Sequence, residues 1–149
     1  MIPWILVVLL MITIFYLSHQ PADQSKDLSD KTKAIITNIL KRIIPGDSIE
    51  INILSNTIRK SAHFFLYLLM GILVKDGLRN MGISGWRAIL LALSICIVYA
   101  ISDEIHQLFV PGRAGQVRDV IIDGLGSMAG IGLYNIFIAL WSRIKTGDF

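Results

Sequence analysis

The stretch YAISDEIHQLFVPGRAGQVRDVIIDGLGSMAG, Tyr99 to Gly130, sets Asp103, Glu104, His106, Arg113, Arg118, Asp119 and Asp123 beside or inside two long apolar runs. Charge within such a run is costly, so it tends to face a partner or a wet cavity. Asp123 lies more than one turn into the second run, among Ile121, Ile122 and Leu125. Asp119 stands four residues earlier, on the same helical face. Asp103 and Glu104 are adjacent and point about 100° apart on a helix. Only one of them can share the stripe of Tyr99 and Gln107. Upstream, Arg59, His63 and Tyr67 recur every four residues as a second polar stripe, with Lys60 beside it.

Three chemistries suit these residue types. Four clustered carboxylates repel unless cations or protons neutralise them, and Arg59, Lys60, Arg113 and Arg118 fall on the same side of the spans. The charges can therefore pair internally and lock the helices together. Alternatively, the arginines and Lys60 engage a phosphate or another anion, while Asp103, Glu104 and Gln107 orient them or meet sugar hydroxyls. In a third reading, one of Asp103, Glu104 and Asp123 is a general base, with His63 or His106 as the acid. His106, three residues after Asp103, is read as a rim residue, and His19 as interfacial.

Other chemistries find less support. His63, Asp103, His106, Asp119 and Asp123 are metal-ligating types, but no HExxH or similarly tight pattern joins them. No metal and no other cofactor is expected. Cys96 is the only cysteine, which excludes an intrachain disulfide and a cysteine-based zinc site. It is read as a small packing residue. Ser61, Ser102 and Ser127 lack a nucleophile-elbow context. The net charge of +3 and pI of about 9.2 come from basic residues that flank apolar segments without aromatic interleaving. That pattern fits membrane anchoring rather than nucleic acid.

The elements that position these residues follow from hydropathy. The chain of 149 residues is 54% hydrophobic and 17% charged, with a mean hydropathy of +0.63. A soluble domain is about 45–50% apolar and about 25% charged. The apolar residues fall in blocks, which predicts an all-α membrane protein forming one domain. Four transmembrane helices are expected, over about 2–17, 58–78, 87–110 and 118–141. Pro111 should end the third, with Pro111-Gly112 forming a turn. Between the first two spans, Ile35, Ile36, Ile39, Leu40, Ile43 and Ile44 recur at three- and four-residue steps, with lysines largely on other faces. This predicts an amphipathic interfacial helix over about 30–44, capped by Ser29 and ended by Pro45-Gly46.

Four spans place both termini on one side of the membrane. Lys75, Arg79 and Arg87 in the short connection favour a cytoplasmic location for that side, although the lysines of the 18–60 segment count the other way. Cytoplasmic termini are expected. Gly126 and Gly130 form a small-xxx-small face that lets another helix approach closely. A homodimer, which transport would require, could use that face.

Three segments carry a resemblance: RKSAHFFLYLLMGIL (59–73), YAISDEIHQLFVPGR (99–113) and DVIIDGLGSMAG (119–130). Together they resemble the VanZ-like family of membrane proteins, over nearly the whole chain, with 20–56 the least informative part. SHQPADQS is similar to a weaker family motif after the first span, with His19 where the family often has a second Ser. The resemblance implies residence in a bacterial cell membrane and a link to reduced sensitivity to the glycopeptide teicoplanin. It supplies no reaction. It adds weight to Arg59, Lys60, His63, Tyr67, Asp103, Glu104, Gln107, Pro111, Gly112, Arg113, Asp119 and Asp123. The expected partners are membrane lipids, polyprenyl-linked cell-wall precursors among them. An intramembrane enzyme acting on a lipid-linked substrate and a non-catalytic scaffold are the alternatives.

Overall fold

The computed structural model describes residues 2–21 and 51–146, with side chains for 2–21 and 60–145. Its four helices are α1 (Ile2–His19), α2 (Ile51–Asn80), α3 (Gly85–Gln107) and α4 (Val117–Thr146), and there is no strand among the described residues. Each is long and apolar enough to cross a membrane, over Ile2–His19, Lys60–Asn80, Gly85–Gln107 and Val117–Lys145. At 1.5 Å per residue the 18 residues of α1 reach about 27 Å, close to a hydrocarbon core of about 30 Å. The expected amphipathic helix over 30–44 lies outside the described residues.

Sequence patterning explains the bundle. Val7, Leu10, Ile14 and Ser18 form the buried stripe of α1. The first three pack with Tyr67, Met70, Val74 and Leu78 of α2 and Ile131 of α4 in one core. On α3 the buried positions Ala88, Ala92, Cys96 and Ala100 are small and spaced by four, so that helix can approach closely. The opposite faces carry exposed Ile5, Leu9, Val98, Ile121, Leu125 and Phe137. An outward apolar surface on every helix is what a lipid solvent calls for.

The most extensive contact joins α2 to α4, and glycine makes it possible. A Cβ at Gly126 would overlap the Phe64 carbonyl, one at Gly130 the Leu68 carbonyl, and one at Gly71 the Ser127 carbonyl. The small-residue face of Gly126 and Gly130 is therefore filled by α2 of the same chain. At the far end of this contact the Tyr134 hydroxyl donates to Asp76 Oδ1 at 2.7 Å.

Two turns set the helix ends. After α2, Gly82 N–H donates to Arg79 O and Ile83 N–H to Leu78 O, the paired bonds of a Schellman cap. Gly82 has φ +83° there. After α3, Arg113 N–H donates to Val110 O at 3.1 Å across Pro111 and Gly112, the latter at φ +75°. That is a type II turn, with proline second and glycine third. The expected turn is present, but α3 ends at Gln107, not at Val110. Residues 108–110 instead form single turns on the carbonyls of 105–107. They swing the chain across the end of the bundle.

Candidate functional site

The C-terminal ends of α1 and α3 meet the Lys60–His63 turn of α2 and the first turns of α4, and the charges collect there. Lys60, His63, Asp119 and Asp123 line a pocket with Glu104, Gln107 and Arg113, above Ile122. The cavity is ≈ 10 Å³, room for about one water molecule.

Each wall has its own tether. Lys60 of α2 forms a short ion pair with Asp119 of α4. One turn deeper on both helices, His63 Nδ1 stands 3.7 Å from Asp123 Oδ2, beyond hydrogen-bond reach. On α3, Asp103 Oδ2 accepts from Ser18 Oγ of α1 at 2.7 Å and from Gln107 Nε2 at 3.1 Å. Gln107 Nε2 also reaches Glu104 Oε1 at 3.2 Å. Glu104 Oε2 accepts from Gln116 N–H at 2.8 Å, which pins the start of α4. Gly115 lies so close below that a Cβ would come within 2.5 Å of the Glu104 carbonyl. Both acids are thus buried and point to different neighbours, as adjacent helical positions must, and Gln107 links them.

Arg113 looks inward along the type II turn. Its Nη2 donates to Leu17 O at 3.0 Å and its Nε to Gln20 O at 2.9 Å, with Nη1 3.4 Å from Gln107 Oε1. It caps the carbonyl end of α1, where a cation is favoured. This differs from an arginine held ready for an external anion: its planar fork is occupied within the chain.

The other expected site residues divide. Tyr67 is fully buried in the core behind the pocket, and its hydroxyl has no hydrogen-bond partner. Arg118 is exposed in the first turn of α4 and does not line the cavity. The Arg59 side chain lies outside the described residues. His106 sits at the rim as expected, 3.1 Å by Nε2 from exposed His19 Nδ1; Phe15 stacks on His19 and meets His106 at a tilt. Among the described residues no group of three or more His, Cys, Asp or Glu could hold a metal ion.

Ser18 was not anticipated. It is fully buried and donates to Asp103. Its signal was available: it continues the stripe of Val7, Leu10 and Ile14, so it had to face inward. Gln116 was also missed, because its contribution is a backbone N–H that no side-chain pattern announces.

Two features define the class: four membrane-length apolar helices, and one carboxylate-rich pocket at a single end of the bundle. This is a multi-pass membrane protein with an interior polar site. The family model VanZ/LLP1 matches residues 3–138, so the chain belongs to the VanZ/LLP1 family. No curated protein and no solved structure matches it.

Proposed function

We propose that the protein binds the polar end of an envelope lipid, such as a polyprenyl-linked cell-wall precursor, at the mouth of the pocket between α2, α3 and α4, with a single donor group entering it. The observation that carries this reading is the placement of Lys60, His63, Glu104, Asp119 and Asp123 around one cavity at the end of an otherwise apolar bundle. Ion pairs needed only to hold helices together do not require a cavity. Carboxylates accept from hydroxyl or amine donors of a headgroup, and partly exposed Lys60 and exposed Arg118 meet phosphate at the rim. Phe65, Ile121 and Leu125 are exposed on the adjoining faces of α2 and α4 and offer a lipid tail an apolar surface. The link of VanZ-like proteins to teicoplanin sensitivity fits a ligand of this kind. With cytoplasmic termini the pocket opens at the outer face of a bacterial cell membrane, where such precursors are used.

A second reading has its own support. The juxtaposition of His63 and Asp123, with Glu104 across the cavity, suits an intramembrane enzyme that uses acid–base chemistry on a lipid-linked substrate. Ser127 Oγ donates to the Asp123 backbone carbonyl at 3.0 Å and Ser18 to Asp103, so neither serine is poised on the histidine as a nucleophile.

Thermal unfolding in detergent, with polyprenyl phosphates, lipid-linked glycans and ordinary phospholipids added in turn, tests the first reading. A ligand of the folded state at 100 times its Kd stabilises by about 2.7 kcal/mol. A selective rise in Tm that Lys60→Ala weakens is the expected result. A flat response across the panel rejects lipid binding and favours the scaffold. Turnover of a labelled precursor by the wild type, lost in His63→Gln, would favour the enzyme.

A further inference from the structure

Asp123 is 0% exposed, and neither Oδ1 nor Oδ2 has a hydrogen-bond partner. A buried carboxylate left in that state is costly. No neighbouring cation gives it a hydrogen bond: Lys60 is paired with Asp119 and Arg113 donates to the carbonyls of Leu17 and Gln20. His63 Nδ1, the neighbour on α2, stands 3.7 Å from Oδ2, a long ion pair when the ring is protonated and no hydrogen bond. Counting the lining with His63 neutral, two cations, Lys60 and Arg113, stand against three carboxylates, Glu104, Asp119 and Asp123. The sign of the site is therefore wrong for a phosphate inside it. Its size is wrong as well, since the ≈ 10 Å³ cavity admits about one water, not a phosphate or a sugar ring. A primary ammonium has water-like dimensions, a positive charge and three N–H donors.

We propose that the pocket takes the terminal primary ammonium of an amine-bearing lipid headgroup, with Asp123 as its counter-ion. The inference rests on the reading that this site meets the polar end of an envelope lipid, and it names the group that enters. Asp123 accepts from the ammonium, the other carboxylates of the lining share its charge, and the remainder of the headgroup stays at the rim beside Lys60. A hard metal cation suits the site less well, because the described residues offer no group of three ligating side chains.

The test compares headgroups whose ammonium carries either three N–H donors or three methyl groups. The purified protein is unfolded thermally in detergent with phosphatidylethanolamine, phosphatidylcholine, free ethanolamine or sodium chloride at equal ionic strength. Phosphatidylethanolamine should raise Tm, phosphatidylcholine should not, and Asp123→Asn should abolish the rise. A response to free ethanolamine equal to that of the lipid would show that the ammonium suffices and would still place it in the pocket. Equal shifts with both phospholipids, a shift with sodium chloride alone, or a rise that survives Asp123→Asn would overturn the proposal. Should the variant fail to fold, competition on the wild type read by native mass spectrometry decides. A preference of tenfold or more for the ethanolamine headgroup is expected, and parity overturns it. A response to lipid-linked glycan phosphates without one to ethanolamine would remove this inference and leave lipid binding standing. Silence to the whole panel would remove both.

Discussion

Arg113 follows α3 in the chain, yet its guanidinium closes the end of α1 through Leu17 and Gln20. Hydrogen bonds to a charged group contribute about 1.5–3 kcal/mol each. Arg113→Ala should therefore lower unfolding stability in detergent by about that much, even without ligand, and Arg113→Lys should recover part of it. A loss of ligand response with unchanged stability would instead return Arg113 to the role of an anion contact. The sequence showed an arginine after a Pro-Gly turn near several acids, and internal pairing was one of the readings it allowed. It could not show two backbone carbonyls from the far end of the chain, because spacing reports neighbours on one helix and not across helices. Asp123, His63 and Glu104 were legible for the converse reason: a charge within an apolar period has one inexpensive direction to face. Arg118 shared the same stretch, but the first turn of a helix also lies near water, so its outward position costs nothing.

At the scale of elements, the approach of α2 to α4 depends on backbone meeting backbone. Gly130→Ala places a methyl group against the Leu68 carbonyl, and overpacking of this kind costs about 1–3 kcal/mol. Gly132 is the control, because a Cβ there meets nothing within 4 Å. Gly132→Ala should be neutral, or stabilising by up to about 1 kcal/mol, through helix propensity alone. Unfolding of the two variants side by side separates packing from propensity. The glycine motif was readable as a close-approach face, but its partner was not. A small-xxx-small pattern states that a helix comes near and does not say whose helix it is. The boundary of α3 shifted for a related reason. Proline is the stop signal in the sequence, whereas the turns over 108–110 end the helix earlier and Pro111 shapes the next bend.

For the molecule as a whole, the alternating path of the helices puts the start of α1, the end of α4 and the α2–α3 turn at the end opposite the pocket. The buried Cys96 is the only native cysteine, so labelling of introduced thiols has a low background. In intact cells a membrane-impermeant maleimide should label Ser61→Cys, beside the pocket, and leave Ser84→Cys, in the α2–α3 turn, unlabelled until the membrane is opened. The reverse pattern would place the termini outside and the pocket in the cytoplasm. Hydropathy alone was enough to count the spans, because lipid demands long apolar helices. Orientation was not equally legible, because the basic residues are divided between the two faces.

Between the polar pocket and the Asp76–Tyr134 contact at the other end, the bundle is filled by Met70, Val74, Ala92 and Ile131, all buried. This layer bears on the cell's energy supply. A buried acid such as Asp123 would be hazardous if it formed one station in a relay across the membrane, because protons would drain down their gradient. Behind Asp123 the apolar layer acts as electrical insulation, so the cell can keep an ionisable group inside its bilayer without short-circuiting it.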